Sequence, residues 1–275
     1  MKHSRLTLLA VSLAAPVLGD NLLRDGDAEG ANPWTPAVVT IVKNDKHGGT
    51  AAFSLQKPAV TVKSALIPVD PSKKYRMSGF LKSADPKNLS TTCFGLAMFD
   101  GNKKLIQKTN VSPIQGTETE LAAPAAKGAM EILVKDASQW NKRRSVRTQV
   151  AFHVKPGYAD LPNFDVTSLL SRVKKTPDGT AWEVKFDRPL LKDYPAGTPV
   201  RQHTYGASLD CCLAYRPVPA VWTRYSAEIG GQVPVGAPDQ QFWNGARYAA
   251  VYLMADASRK GAELLFDDIV FEEIK

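Results

Sequence analysis

Apolar and polar residues alternate with a period of two in short runs along most of the chain, the pattern of strands with one buried face. Such runs fall at 37–43, 51–56, 60–66, 75–82 and 92–99, and again at 207–215, 222–229, 247–254 and 263–271. They are separated by turn-forming stretches: HGGT at 47–50, VDPSKK at 69–74, SADPKN at 83–88 and DGNKK at 100–104. About nine strands in two blocks is the number expected of a two-sheet antiparallel jelly-roll sandwich, so the fold class expected is all-β. Between the blocks, 120–206 shows strand patterns of its own at 129–134, 148–154 and 181–186, and reads as a small β-rich insertion. No internal repeat is visible.

The N-terminus departs from this pattern. Lys2 and Arg5 precede an apolar stretch at 6–15, and small residues lead to a cut expected after Gly19. Residues 1–19 therefore read as a secretory signal, too short in its apolar part to span a membrane. The expected organisation is a signal peptide at 1–19, a first jelly-roll part at 20–119, the insert at 120–206 and a second jelly-roll part at 207–275. Nineteen Gly and nineteen Pro spread among the runs favour turns over long helices.

Three cysteines suit an exported chain poorly as a set. A bridge from Cys93 to Cys211 or Cys212 is one reading and three small buried hydrophobes is the other; no His or Cys stands at zinc-ligand spacing.

Charge is uneven. The insert carries 14 Lys and Arg against 9 Asp and Glu, whereas the flanking blocks are close to neutral. NKRRSVR at 141–147, beside Trp140, places four cations in seven residues. The cluster suits attraction of a sulfated or uronic polysaccharide, and equally a solvated turn. No nucleic-acid motif accompanies it.

Catalytic signatures are missing from the sequence: no G-x-S-x-G, no H-E-x-x-H and no phosphate loop. Of four histidines, at 3, 47, 153 and 203, none has a triad pattern around it. Asp267 and Asp268 could suggest a glycosidase pair, but adjacent strand residues face opposite ways. Sugar binding needs flat apolar faces beside hydrogen-bonding groups. Trp243, with Gln241, Asn244 and Arg247 close by in QQFWNGARY, is the leading candidate, followed by Trp34, Tyr205 and Tyr215. Trp222 and Phe266 are expected in the core.

The two ends, NLLRDGDAEG at 21–30 and ELLFDDIVFEEI at 263–274, resemble the opening and closing segments of jelly-roll carbohydrate-binding modules, the galactose-binding-like sandwiches of families 4, 9 and 22. Within the insert, KGAMEILVKDASQW and YPAGTPVRQH resemble small β subdomains found inserted in exported glycan-associated and phage-tail-like proteins. The resemblance implies a secreted, non-catalytic polysaccharide-binding protein. It also implies a structural Ca²⁺ held by Glu29 with Asp267 or Asp268, with carbonyls around 72–74 and Asp27 as a further ligand; a plain hydrogen bond from the first strand to Asp268 is the alternative. Ala28 stands where an aromatic residue commonly packs in that family. A structural or adhesive surface protein using the basic insert is the rival reading, ahead of a lyase or hydrolase.

Overall fold

The computed structural model describes residues 18–56, 60–142, 146–206, 211–255 and 261–275. The first block holds β1 (Leu18–Asn21), β2 (Thr40–Val42), β3 (Ala52–Leu55), β4 (Thr61–Lys63), β5 (Ile67–Pro68), β6 (Lys74–Ser83) and β7 (Thr91–Phe99). A single helical turn, α1 (Lys108–Val111), leads to β8 (Thr119–Glu120), β9 (Glu131–Val134), β10 (Thr148–Phe152), β11 (Leu170–Lys175), β12 (Trp182–Phe186) and β13 (Pro199–Thr204). The chain then returns through β14 (Cys211–Pro217), β15 (Thr223–Gly230), β16 (Tyr248–Ala255) and β17 (Leu264–Ile274).

The first and last blocks build two antiparallel sheets. One has the order β15-β6-β17-β3-β2 with β1 added to β17, and the other β14-β7-β16-β4 with β5 added to β16. The inward positions of both sheets, among them Phe53, Met77, Leu81, Phe94, Leu96, Val251, Leu253 and Phe266, form one apolar core. The chain is an all-β sandwich, as the period-two runs predict. Strand bounds fall close to the expected ones, but β1, β5, β8, β11 and β13 were not legible as runs. In β13 the reason is visible: Arg201, Gln202 and His203 are all buried, so a buried strand carries a polar sequence.

Residues 121–200 supply a second core around Ile132, Trp140, Val150, Phe152, Val184 and Tyr194. It lies between two small sheets, β10-β13-β8 and β11-β12-β9. Polar bonds join this unit to the sandwich at α1. Asn110 donates through Nδ2 to the Asn163 carbonyl at 2.8 Å, Thr109 donates to Gln149 Oε1 at 2.7 Å, and the Gly236 amide donates to the Val111 carbonyl at 2.7 Å.

The two ends meet. β1 pairs with β17, Asn21 opposite Glu272, across the cut expected after Gly19. Asn21 then bonds both ways, donating to the Ile269 carbonyl and accepting from the Phe271 amide. This contact sits on a β-bulge in β17, where the register with β6 shifts between Asp267 and Val270 and Asp268 takes a φ of 48°. The bulge turns Ile269 inward against Gly79 of β6, where an added Cβ would overlap the Ile269 side chain. A larger residue at 79 would force the Ile269 side chain to shift.

Candidate functional site

The tryptophan favoured from sequence is part of the core. Trp243 is 0% exposed, its indole N–H donates to the Pro238 carbonyl and its amide meets Met98 Sδ. Phe242 and Ala246, equally buried, show that the turn folds inward. Trp34 is likewise enclosed, edge-on to Phe53 and Phe266, with its indole nitrogen unpartnered. Neither ring offers a face to a sugar, and both expectations are corrected by the packing. Phe266 is in the core as expected, whereas Trp222 is only partly buried and donates to Asp45 Oδ1 at 3.2 Å.

The polar neighbours of Trp243 remain outside. Arg247 and Gln241 are exposed, and Asn244 donates to the Pro234 carbonyl. Arg247 lines a cleft of about 610 Å³ with Asp70, Ser72 and Gln232. The Ser72 amide and hydroxyl hold the Asp70 carboxyl below its ordinary range, with Lys73 and Arg247 adding attraction. The cleft therefore presents a fixed carboxylate, a guanidinium and an amide.

Beside the cleft lies an apolar face. An antiparallel sheet packed on one side normally turns polar residues outward. Here the outward positions of β7 and β16 are Cys93, Ala97, Phe99, Tyr248, Ala250, Tyr252 and Met254. Tyr252, Cys93 and Ala97 are closed off, with Tyr252 Oη 3.1 Å from Cys93 Sγ, and Cys93 is disulfide-bonded. The strip opens at its end, where Tyr248 stands opposite Phe99 and both rings are partly exposed. Lys103 Nζ lies 5.7 Å from the Tyr248 ring centre, and Lys63 follows on β4 opposite Tyr252. Tyr215 lies opposite Cys93 in register; its side chain, with those of Cys211 and Cys212, falls outside the described ones. Phe99 and Tyr248 were missed because their runs read as ordinary core strands, although apolar residues at both parities of YAAVYLMA signalled two apolar faces.

The carboxylates proposed as metal ligands are engaged by donors. Glu29 accepts from the Thr50 amide, the Thr50 hydroxyl and the Ala51 amide, and the Thr50 hydroxyl bond leads in holding its carboxyl below the usual range. Asp267, 0% exposed, accepts from the amides of His47, Gly48 and Asp268. Burial raises its pKa against those donors, and the Asp268 charge adds to the rise. Asp268 pairs with His47 Nδ1 at 2.7 Å, and Asp27 accepts from the Glu29 amide. Both members of the Asp-Asp pair thus reach loop 47–48, because the bulge breaks the alternation that would have sent them to opposite faces. The loop at these carboxylates is 47–51; Lys74, the last of residues 72–74, pairs with the far end of β17 opposite Ile274. Among the described residues no three His, Cys, Asp or Glu side chains gather as a metal group. Three donors meet each of Glu29 and Asp267, leaving about one acceptor position on each carboxylate, too few oxygens for the six to eight that calcium takes.

The insert's basic run lines a groove of about 400 Å³ through Lys142 and Arg147, together with Asp187 and with Arg172, which pairs with Glu183. Arg143 and Arg144 of that run lie outside the described residues. Lys142 Nζ sits 4.1 Å from the Trp182 ring centre and the Arg147 guanidinium 4.3 Å from that of Tyr205. The Arg147 guanidinium thus covers one face of the Tyr205 ring. His153 meets Asp165 at 2.7 Å, and His203 is buried against Arg201.

No family model and no curated protein matches the chain. Nineteen solved chains match in three dimensions. Carbohydrate-binding modules stand among them. A family 16 carbohydrate-binding module shares 14% identity at a TM-score of 0.35, over 91% of this chain and 99% of its own. The C-terminal family 22 module of Clostridium thermocellum Xyn10B shares 9% at 0.35, over 92% and 95%. A putative sugar-binding protein from Bacteroides thetaiotaomicron shares 8% at 0.29, over 92% and 100%. Likeness this distant bears on neither ligand nor activity, and the sandwich stands on the chain's own sheets. Among the described residues no helix is long and apolar enough to cross a membrane.

Proposed function

We propose that the chain is a secreted, non-catalytic carbohydrate-binding protein that holds a polysaccharide on the outer face of its second sheet. The observation that carries this reading is the open end of the aromatic strip, Tyr248 beside Phe99, next to the Arg247, Asp70 and Gln232 cleft. A pyranose has apolar C–H faces and a hydroxyl rim, so it needs an aromatic surface with donors and acceptors at its edge. The resemblance of the chain ends to carbohydrate-binding modules and the N-terminal secretory pattern agree with it. Binding rather than catalysis suits the carboxylates, since Asp267 is enclosed with its oxygens on backbone amides. The basic groove of the insert extends the reading to acidic polysaccharide.

The test is affinity electrophoresis against neutral and uronic polysaccharides with Tyr248→Ala and Arg247→Ala. Loss of one stacking ring should weaken binding about tenfold while leaving the melting temperature near that of the wild type. Trp243→Ala, by contrast, should lower stability by about 3–5 kcal/mol through core loss. Unaltered binding in Tyr248→Ala would remove the sheet face as the site.

A further inference from the structure

Another cavity, of about 590 Å³, opens among residues 118–120, 154–158, 199 and 201, and one buried arginine stands in its wall. Arg201 is 0% exposed. Its Nε donates to His203 Nε2 at 3.1 Å and its Nη2 to Asp160 Oδ2 at 2.7 Å. His203 is held in turn through Nδ1 by the Thr109 carbonyl at 2.6 Å, and Asp160 by the Lys155 amide and the Asn163 side chain. The guanidinium is thus fixed on two sides. Its remaining nitrogen, Nη1, is enclosed and no protein atom accepts from it. A buried cationic donor without a partner is costly, and proteins seldom keep one without use.

The rest of the wall suggests what would meet it. Val154, Pro156 and Pro199 form an apolar surface, and the half-buried Tyr158 ring lies 4.9 Å from the guanidinium carbon. Tyr158 is held at the turn Pro156–Tyr158 with a φ of 62°, a conformation that sets its ring over Arg201. Acceptors stand at the rim in Glu118 and Glu120. Arg201 pairs with Asp160 and Glu120 with Lys135 at 2.6 Å, and the lining carries one further charge of each sign, Glu118 and Lys155. A site without net charge, with one fixed donor, two carboxylate acceptors and an apolar wall, matches a neutral polyhydroxylated ring better than an anion.

We infer that this cavity is a second glycan site, for a neutral sugar residue whose oxygen accepts from Arg201 Nη1 and whose hydroxyls donate to Glu118 and Glu120. The inference rests on the carbohydrate-binding reading and assigns the insert a ligand distinct from the acidic chain expected at its basic groove.

The experiment is isothermal titration of the full chain with neutral gluco-, galacto-, manno- and xylo-oligosaccharides, comparing Tyr158→Ala, Glu118→Gln and Tyr248→Ala. Tyr158 is half-buried and Glu118 exposed, and both substitutions spare the buried Arg201. Two classes of site in the wild type are expected, one weakened about tenfold by Tyr158→Ala and kept by Tyr248→Ala. Binding sensitive to Tyr248→Ala alone would overturn the insert site and leave the sheet-face reading intact. Silence of the wild type toward all four neutral series would overturn the insert site. Uronic chains bound at the sheet face would then keep the first reading, and silence toward those as well would overturn both.

Discussion

At the scale of single residues, His203 has the clearest measurable consequence. Burial pushes its pKa down to about 4, with the nearby Arg201 charge acting the same way against the Thr109 carbonyl and Asp160. Its imidazole is therefore neutral in the fold, Nδ1 donating to Thr109 and Nε2 accepting from Arg201. Since the unfolded chain takes up the proton near pH 6.5 and the folded one only near 4, stability falls as pH drops through that window, by up to about 3 kcal/mol. Asp160 and Asp165 act at lower pH: burial opposes their ionisation, but their hydrogen bonds and cationic neighbours depress both pKa values, so their contribution disappears below the ordinary carboxylate range. Urea titrations from pH 7 to pH 4 should show the loss in the wild type and a flatter profile in His203→Gln. An equal slope in both would place the acid sensitivity elsewhere.

Among the elements, the bulge in β17 organises the meeting of the chain ends. It brings Asp267 and Asp268 to loop 47–48 and Ile269 to the Gly26 carbonyl, so the opening segment, the loop and the closing strand share one set of hydrogen bonds. Asp267→Ala should cost about 1–3 kcal/mol by leaving the His47 and Gly48 amides without an acceptor. Because three amides already hold this carboxylate, the melting temperature should be the same in calcium and in EDTA. A rise in calcium would mean that Glu29 and Asp267 exchange their N–H partners for a cation. The ends were readable as partners through their resemblance to the terminal segments of jelly-roll modules, but the bulge was not, because a two-residue alternation rule has no means of marking where an extra residue breaks register.

In the molecule as a whole, charge and apolar surface are separated. The sandwich offers the Tyr248 and Phe99 rings with few net charges, whereas the insert holds the cationic groove of Lys142, Arg147 and Arg172. Attraction of an acidic polysaccharide through that groove should weaken steeply with salt, since the cations are exposed and the screening length falls to about 8 Å at physiological ionic strength. Neutral chains on the sheet face should bind almost independently of salt. Affinity for a uronic polysaccharide, measured between low and moderate salt in the wild type and in Arg147→Ala, separates the two; an unchanged salt slope in the variant would exclude the groove.

The alternation of apolar and polar residues by itself determined that the chain is all-β and where most strands and turns fall, because strand periodicity and turn chemistry are local; that its ends belong together followed only from their resemblance to the terminal segments of jelly-roll modules. The sequence also showed a basic middle segment. Which aromatic rings face solvent was decided only by tertiary structure. Trp243 sits in a turn with polar neighbours and is nonetheless closed in by Met98 and Pro238, while Tyr248, in a run that reads as core, stands on the open face. Burial of that kind depends on residues far away in the chain. The same holds for Arg201, whose fixed guanidinium and free nitrogen exist because β13 passes between Asp160, Thr109 and Tyr158, three neighbours that no spacing in the sequence connects.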